Sequence, residues 1–387
     1  MNINDITIDE LRNRAGAKWR EYPADVLPAW VADMDFAVAE TIRAALAAEV
    51  ENSTLGYAVQ WPSCGLAELF AERLAKRYGW TIAPASVDYF NDVVQGIYLG
   101  LMTLSAPGEG AVVQTPVYPP FTQAVQETGR RPVFCPLVPA AGGHEIDFDM
   151  LRARIDATTR VLMLCHPQNP TGRAFTRGEL EALAAIVLER KLYVISDEIH
   201  ADLMLDERPH LPFAAVDPEV SARTLTLMSA SKAFNIAGLG IGFGVYGSDS
   251  LRKKLHAIPH HVRGGRSTLG MAAARAAWTS GDGWLEAVRA QLRANRERIA
   301  AHVATHWPAI RHVPPQATYL AWLDCRALKL PTSPMRFFLE HAKVALSDGK
   351  AFGPEGEGWV RLNFATTPAI LDEILGRMDE ALKQAGA

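Results

Sequence analysis

Three short motifs combine side chains that could act on a carbonyl compound, and the first of them contains a lysine. Ser-Ala-Ser-Lys at 229–232 directly follows an apolar run that predicts a strand. A lysine at a buried strand end loses hydration, which lowers its pKa, and the neutral amine can form a Schiff base with an aldehyde. Ser229, Ser231 and nearby amides could bind a phosphate. A surface lysine in a loop is the alternative for Lys232, because the tetrapeptide alone is a weak signal.

The second motif is Ser-Asp-Glu-Ile-His at 196–200, which also follows an apolar run. An aspartate at a buried strand end, here Asp197, stays ionised only beside a cation such as a protonated pyridine nitrogen. A metal site is the alternative, since Glu198, His200 and Asp202 are close by in the sequence. Neighbours in an extended strand point to opposite faces, however, and no second cluster completes a set of four ligands. We therefore predict no metal.

The third motif is His-Pro-Gln-Asn-Pro-Thr-Gly at 166–172, after the apolar run 161–165. Its prolines restrict the backbone and would hold the Asn169 amide where it can donate to a ligand oxygen. A simple turn is the alternative, because Asn-Pro and Thr-Gly are common in turns. In open α/β sheets, ligands bind outside the carboxyl ends of the strands. Because each of the three motifs follows a predicted strand, we predict that they meet in one ligand site.

The elements that would position these motifs alternate along the chain between residues 85 and 250. Apolar helical spacing at 121–128 and 177–191 separates runs that are nearly continuous in apolar residues, which predicts a mostly parallel sheet buried on both faces. The predicted strands are 87–90, 111–114, 133–137, 161–165, 192–196, 224–228 and 241–246. We therefore predict an α/β fold, with a large domain at 46–283. Residues 1–45 and 284–387 would form a smaller α+β domain, with strands at 319–323, 344–346 and 359–363 and helices at 284–306 and 368–383.

Composition excludes several classes of protein without selecting a function. At about 150 residues per domain, 387 residues suggest two or three domains. A net charge of −4 argues against a nucleic-acid partner. The four cysteines show no paired spacing, which favours a reducing compartment. No signal peptide or membrane-spanning run is evident, so we predict a soluble, cytoplasmic protein without a membrane partner.

The glycine pattern at 238–244 is suggestive of dinucleotide binding but lacks the required context. A Rossmann fingerprint needs a preceding strand, a following helix and an acidic residue downstream. Here the glycines run into a predicted strand. Close packing of the backbone is therefore the favoured interpretation.

The order and spacing of the three motifs resemble the fold-type I pyridoxal-phosphate (PLP) enzymes of the aminotransferase class I/II superfamily, over essentially the whole chain. The resemblance implies that Lys232 binds the cofactor as a Schiff base and that Asp197 pairs with its ring nitrogen. It also implies that Asn169 donates to the ring hydroxyl oxygen, while Ser229 and Ser231 contact the phosphate.

Further motifs resemble the cystathionine β-lyase branch typified by MalY and PatB. They are Lys-Trp at 18–19, Leu-Pro-Ala-Trp-Val-Ala-Asp-Met-Asp-Phe at 27–36, Pro-Val-Tyr-Pro-Pro-Phe at 116–121 and the segment 231–239. Most aminotransferases carry a tyrosine that bonds the cofactor ring oxygen where His200 stands. They also usually carry an arginine that clamps the phosphate where Gly240 stands. Both differences favour the lyase branch.

The same resemblance implies roles for five more residues. Tyr118 would stack on the cofactor ring, and Tyr57 would reach the phosphate of the neighbouring subunit, which implies a homodimer with shared active sites. Arg361 would bind the substrate α-carboxylate, for which a guanidinium fork is suited. The backbone amides of Val94 and Gln95 would contact the phosphate. Without the resemblance, Tyr118 would be a structural residue of a rigid turn, Tyr57 a loop aromatic and Arg361 a half-buried strand residue.

One position departs from the pattern, because Asp92 stands where relatives often have glycine. A carboxylate facing a phosphate would be repulsive, so we expect Asp92 to face elsewhere. The resemblance as a whole implies a PLP-dependent carbon–sulfur β-lyase that acts on cystathionine or another cysteine S-conjugate, with Lys232 as the base and Lys232 or Tyr57 protonating the leaving sulfur. An aminotransferase and a regulatory protein that binds PLP are the alternatives.

Overall fold

The computed structural model of the protein describes residues 3–58 and 63–386, and its largest element is a seven-stranded sheet. Four of the six neighbouring strand pairs are parallel. The strand Gly242–Tyr246 runs antiparallel to both of its neighbours. Across the sheet the strands are, in order, Val87–Phe90, Gly242–Tyr246, Thr224–Met228, Tyr193–Asp197, Thr159–Cys165, Gly110–Val113 and Arg131–Phe134. The prediction of a large, mostly parallel sheet is confirmed.

Helices cover both faces of this sheet, as the near-continuous apolar strands require. Successive residues of a strand point to opposite faces. Val161 and Met163 accordingly pack in one apolar cluster with the helix Val93–Leu104, while Leu162 and Leu164 pack in another with Arg177–Glu189. The sheet therefore has a core on each side, and ligands can reach it only at the strand ends.

Several helices begin at a residue whose side chain caps the first turn. Arg177–Glu189, for example, starts with a capping box in which Thr176 and Glu179 each bond the other's backbone N–H. The helices are Ile8–Arg12, Ala17–Arg20, Glu40–Glu51, Leu66–Tyr78, Val93–Leu104, Pro120–Glu127, Phe148–Arg154, Arg177–Glu189, Pro218–Ser221, Asp249–His256, Thr268–Ser280, Asp282–His306, Pro334–Phe337 and Pro368–Ala385.

A second, antiparallel sheet is formed by the C-terminal part of the chain. Its four strands are, in order, Arg311–His312, Leu320–Asp324, Trp359–Asn363 and Ser347–Asp348. The N-terminal strand Leu27–Pro28 pairs in parallel with Val344–Ala345, and a small hairpin joins Val138–Ala140 to Gly143–Glu145. The N-terminal residues thus join the C-terminal part of the chain, although the domain limits at 45/46 and 283/284 stay a prediction.

The glycines at 238–244 allow the sheet to pack closely. A Cβ atom on Gly244 would lie 2.4 Å from the Phe90 ring, and one on Gly242 would lie 2.8 Å from the backbone of Asp92. Both distances are shorter than a van der Waals contact. The interpretation of this pattern as close packing is therefore confirmed at Gly242 and Gly244, whereas a Cβ atom on Gly238 would meet nothing within 4 Å.

Two further observations concern the state of the cysteines and the length of the apolar helices. Cys64, Cys135, Cys165 and Cys325 are all free thiols. Among residues 3–58 and 63–386, no helix is long and apolar enough to cross a membrane.

Candidate active site

A cavity of about 290 Å³ opens at the edge of the large sheet where its parallel strands end. Of the eleven predicted site residues, eight line this cavity, and Ser229, Gln95 and Tyr57 do not. The lining residues are Val31, Ala32, Asp92, Val93, Val94, Tyr118, Cys165, Asn169, Asp197, Ile199, His200, Ser231, Lys232, Ala237, Ile241 and Arg361. The loops after three strands thus bring all three chemical motifs to one place.

Lys232 lies just after the strand Thr224–Met228, and its amine reaches the cavity. Its Nζ donates to the carbonyl oxygen of Ala32 at 2.9 Å. Burial lowers the pKa of Lys232, and the nearby Arg361 lowers it further, while Asp33 and Asp197 act in the opposite direction. A lysine in this setting loses its proton more readily than one in water, so it is suited to nucleophilic or basic chemistry.

Asp197 ends the neighbouring strand, Tyr193–Asp197, and only 4% of its surface is exposed. One carboxylate oxygen accepts the Ile199 N–H at 3.0 Å. Burial raises the pKa of Asp197 to about 7, and the charge of Glu198 adds to the effect. Such a carboxylate ionises fully only if a cation is placed beside it. The cavity therefore favours a ligand with a positive or protonatable group at this point.

Arg361 enters the cavity from the strand Trp359–Asn363 of the second sheet. Its Nη1 donates to Asn169 Oδ1 at 2.9 Å, and its Nη2 donates to Trp30 O at 2.8 Å and to Ser347 Oγ at 3.1 Å. Its Nε has no partner within the described residues. Burial lowers the pKa of Arg361 to about 10. This buried cation can bind a carboxylate, and it leaves the Nδ2 of Asn169 as that residue's donor.

The helix Val93–Leu104 begins at the cavity wall, where Val93 and Val94 line the space. Asp92 caps this helix, because its Oδ1 accepts the Gln95 N–H at 2.7 Å. Asp92 itself lines the cavity, so the expectation that its carboxylate faces away from a phosphate stays a prediction. The same bond occupies the Gln95 amide, so Val94 is the better placed of the two predicted amides. A helix N-terminus of this kind is suited to binding an anion.

The two serines of the first motif have different surroundings. Ser231 lines the cavity. Ser229 Oγ instead donates to the Ile241 carbonyl oxygen at 2.5 Å and accepts the Ser231 N–H at 3.0 Å. Both bonds hold the turn that leads to Lys232, so Ser229 here supports the loop.

The three predicted aromatic residues lie in different places. Tyr118 lines the cavity, and its backbone N–H donates to Asn169 O at 3.0 Å. His200 is 2% exposed, and burial lowers its pKa to about 3, so its ring is neutral. Its Nδ1 has no partner in the part of the chain that the structure describes. Tyr57 is fully exposed on the surface of the chain, away from the cavity.

The segment 30–36 also contributes to the site, although its individual residues had no role predicted from the sequence. Its backbone carbonyls accept hydrogen bonds from Lys232, Arg361 and Asn363. Tyr319 OH donates to the same Ala32 carbonyl at 2.9 Å as Lys232 does. The one signal in the sequence was the motif at 27–36, whose resemblance to the cystathionine β-lyase branch marked the whole segment but gave no role to its individual residues.

Asn235 is a further residue that sequence reasoning did not single out. Its side chain accepts the Met34 N–H at 3.0 Å and donates to the carbonyls of Met34 and Phe36. Its φ of +57° is a conformation that asparagine tolerates better than most residues. Asn235 therefore ties the segment 30–36 to the loop that positions Lys232.

A lysine and an aspartate at the ends of neighbouring strands, in a sheet of this topology, define the fold-type I class of PLP enzymes. The chain belongs to the aminotransferase class I and II family, which it matches over residues 31–378.

Individual proteins are similar to the chain over nearly its whole length. A protein of Mycobacterium leprae, named provisionally a cystathionine β-lyase, is 37% identical, and the match covers 98% of each chain. Cystathionine β-lyase PatB of Bacillus subtilis is 34% identical over 92% of this chain and 93% of its own. The crystal structure of a PLP-bound C–S lyase from Staphylococcus hominis superposes with a TM-score of 0.92 at 30% identity, covering 99% of each chain.

Proposed function

We propose that the protein is a PLP-dependent carbon–sulfur β-lyase. The substrate is L-cystathionine or a related cysteine S-conjugate, which together with one water gives a thiol, pyruvate and ammonia; the thiol from cystathionine is homocysteine. The observation that carries this proposal is the meeting of Lys232, Asp197 and Arg361 in one cavity, in a chain similar to named lyases over almost its full length.

The residues of the cavity fit this cofactor. Lys232 offers an amine with a lowered pKa for a Schiff base, and the buried Asp197 offers a carboxylate for a pyridinium nitrogen. The N–H groups at the start of Val93–Leu104 and the side chain of Ser231, which lines the same cavity, suit a phosphate. Asn169, His200 and Tyr118 also line the cavity. In the proposal, Asn169 and His200 bond the ring oxygen and Tyr118 stacks on the ring face.

The chain's own residues divide the remaining work. When bound, PLP supplies an electron sink for the carbanion at the substrate Cα. Arg361 binds the α-carboxylate and so fixes the Cα–H bond near Lys232, whose Nζ takes the proton. The β-thiolate then leaves, and Lys232 or Tyr57 of the second subunit gives it a proton. The three-carbon enamine that remains then takes up one water and gives pyruvate and ammonia. The apolar residues Val31, Val93 and Ile241 line the cavity around these groups.

An aminotransferase is the second candidate, because the family includes such enzymes. The replacement of tyrosine by His200 and of arginine by Gly240 supports the lyase. The discriminating assay incubates the holoprotein with L-cystathionine in the absence of any 2-oxo acid and measures pyruvate and free thiol. We expect both products in equal amounts. Turnover that requires a 2-oxo acid would identify an aminotransferase instead.

Lys232→Ala is the matched control for this assay. It should abolish both pyruvate release and the visible absorption of the bound cofactor. Wild-type protein that is yellow but inactive on every cysteine conjugate would favour a regulatory role. Wild-type protein that shows no such absorption after PLP is supplied would contradict the proposed function altogether.

A homodimer with shared active sites belongs to the same proposal. The fully exposed Tyr57 supports it, as do the exposed apolar side chains of Val50 and Leu55 in the same segment. The test mixes Lys232→Ala chains with Tyr57→Ala chains, after each variant has been shown to lose activity by itself. If Tyr57 serves the partner's site, each mixed dimer has one site with both residues intact and regains activity. Failure to regain activity would contradict the shared site.

Two smaller parts of the proposal concern organisation. We place the large domain at 46–283 and the small one at 1–45 plus 284–387, supported by the pairing of Leu27–Pro28 with Val344–Ala345. We place the protein in the cytoplasm, where free thiols such as its four cysteines persist.

A further inference from the structure

A second cavity, of about 420 Å³, lies between the small hairpin at 138–145 and the four-stranded antiparallel sheet. It is larger than the candidate active-site cavity of about 290 Å³, and the two cavities share no lining residue. Its walls combine apolar side chains, such as Pro139 and Val313, with a few polar ones. Cavities of about 300 to 1,000 Å³ with walls of this mixed kind commonly bind small molecules.

Trp322 lines this cavity and has a buried N–H group without an acceptor. The residue is 4% exposed, and its Nε1 has no partner within the ranges that the structure describes. Its ring stacks on Trp359 at 5.3 Å and meets Phe352 edge-on at 5.5 Å, so packing fixes its orientation. A buried donor without an acceptor is costly, and such atoms usually bond a ligand or an ordered water. An acceptor inside the cavity would supply the missing partner.

His312, which also lines the cavity, provides a complementary acceptor. Its Nδ1 lies 3.3 Å from the Trp322 carbonyl oxygen, which can only accept, so Nδ1 carries the proton. Burial lowers the pKa of His312 to about 4, so the ring is neutral near pH 7 and Nε2 keeps its lone pair. Among the described residues, this Nε2 has no partner. The cavity thus has one free donor and one free acceptor, on two residues that are bonded to each other.

The charged groups that line the cavity leave one positive charge unbalanced. Asp324 accepts from Nε and Nη2 of Arg326, each at 2.8 Å, so these two charges are paired. Burial lowers the pKa of His144 to about 4, so its ring adds no charge. Arg311 is exposed and makes no hydrogen bond or salt bridge with any residue that the structure describes. Its guanidinium is therefore available to a carboxylate, for which it is suited.

We propose that this cavity binds a small organic carboxylate that also contains a secondary amide, such as an N-acylated amino acid. An amide has a carbonyl oxygen and an N–H group side by side, which is what the free donor of Trp322 and the free acceptor of His312 require. The carboxylate accepts from Arg311, and the apolar part of the ligand lies against Pro139 and Val313. The inference goes beyond the proposed function and does not depend on it, because none of these residues lines the candidate active site.

The test is calorimetric titration of the protein, supplied with PLP, with N-acetyl-L-leucine, whose blocked amine cannot form a Schiff base with the cofactor. We expect one molecule to bind per chain. Arg311→Gln should weaken binding about tenfold or more, because a bond to a charged group is lost. Trp322→Phe keeps an aromatic ring but removes the N–H group, and it should weaken binding about 2- to 10-fold. Arg361→Lys, in the candidate active site, is the control and should leave the affinity unchanged.

The methyl ester of N-acetyl-L-leucine shows whether charge is recognised. It should bind wild type about tenfold more weakly than the acid, and Arg311→Gln should not weaken it further. Absence of binding of the acid at millimolar concentration, equal affinity for acid and ester, or a loss seen only in Arg361→Lys would each overturn the inference. If Trp322→Phe does not fold, the exposed Arg311→Gln and the ester decide. Binding without lyase activity would overturn the proposed function alone, whereas lyase activity without binding would overturn this inference alone.

Discussion

Replacement of Asp197 by asparagine should change how the stability of the cofactor-free protein depends on pH. Asparagine keeps the size of the side chain and its Oδ1 can still accept the Ile199 N–H. It removes a carboxylate whose pKa is raised by burial from an ordinary value of 3.8 to about 7. The variant therefore isolates the free energy of ionising this buried group when no pyridinium is present.

The sign and size of this change in stability follow from the pKa of Asp197 in the unfolded chain, about 3.8, and in the folded protein, about 7. The folded protein holds the Asp197 proton more tightly than the unfolded chain, so the group's contribution to stability is fully present below about pH 4. It is lost as the pH rises through the folded value of about 7. Between pH 5 and pH 8, wild-type apoprotein should lose about 2.5 kcal/mol of unfolding free energy that Asp197→Asn does not lose.

The assay is urea unfolding of both apoproteins at several pH values and one protein concentration, so that subunit association is held constant. Asp324→Asn is the matched control, because the pKa of Asp324 is shifted in the opposite direction. Burial raises this pKa, but the hydrogen bonds from Arg326 lower it below its ordinary value. Its difference from wild type should stay constant between pH 5 and pH 8. Parallel curves for wild type and Asp197→Asn over that range would refute the reasoning.

Four further substitutions test other contacts. Arg361→Lys should lower kcat/KM by about 10- to 100-fold, mainly by raising KM, because a lysine cannot form the paired hydrogen bonds of a guanidinium with a carboxylate. An unchanged KM would exclude a role of Arg361 in carboxylate binding. Asn235→Ala should cost about 3 kcal/mol in urea unfolding, for three hydrogen bonds of about 1 kcal/mol each, and rescue by Asn235→Gly would assign the loss to the backbone conformation instead. Asp92→Ala should cost about 1 kcal/mol as a lost helix cap, whereas Asp92→Asn should be nearly neutral; equal losses would argue against the cap. Tyr57→Phe should leave thermal unfolding of the apoprotein unchanged yet speed the release of PLP, and unchanged release would argue against a phosphate contact.

Strong apolar periodicity made much of the fold predictable. The strands Thr224–Met228 and Trp359–Asn363 have the predicted bounds, and the helix predicted at 177–191 is observed at Arg177–Glu189. The edge strand predicted at 133–137 lies instead at Arg131–Phe134. Its single neighbour is Gly110–Val113, so backbone pairing, rather than apolar pattern, sets where it ends.

The site residues that follow a strand could be predicted from the sequence. The contacts that distant parts of the chain make with those residues were harder to predict. Lys232, Asp197 and Asn169 follow apolar runs directly, so their convergence could be expected from sheet topology alone. The antiparallel direction of Gly242–Tyr246 and the contacts of Asn235 depend on tertiary packing. The role of Asp92 as a helix cap could have been proposed from its place before an apolar helix.

The segment 30–36 has a consequence for how the enzyme is made. Its carbonyls bond to Lys232, Arg361 and Asn363, which lie 200, 331 and 332 residues from their respective acceptors. Synthesis releases this segment early, and it must remain hydrated until almost the whole chain has emerged. Contacts so distant along the chain form slowly, because closing a long loop costs entropy. We expect the pocket to be completed last, so that retention of PLP by a newly made chain reports that the entire molecule has folded.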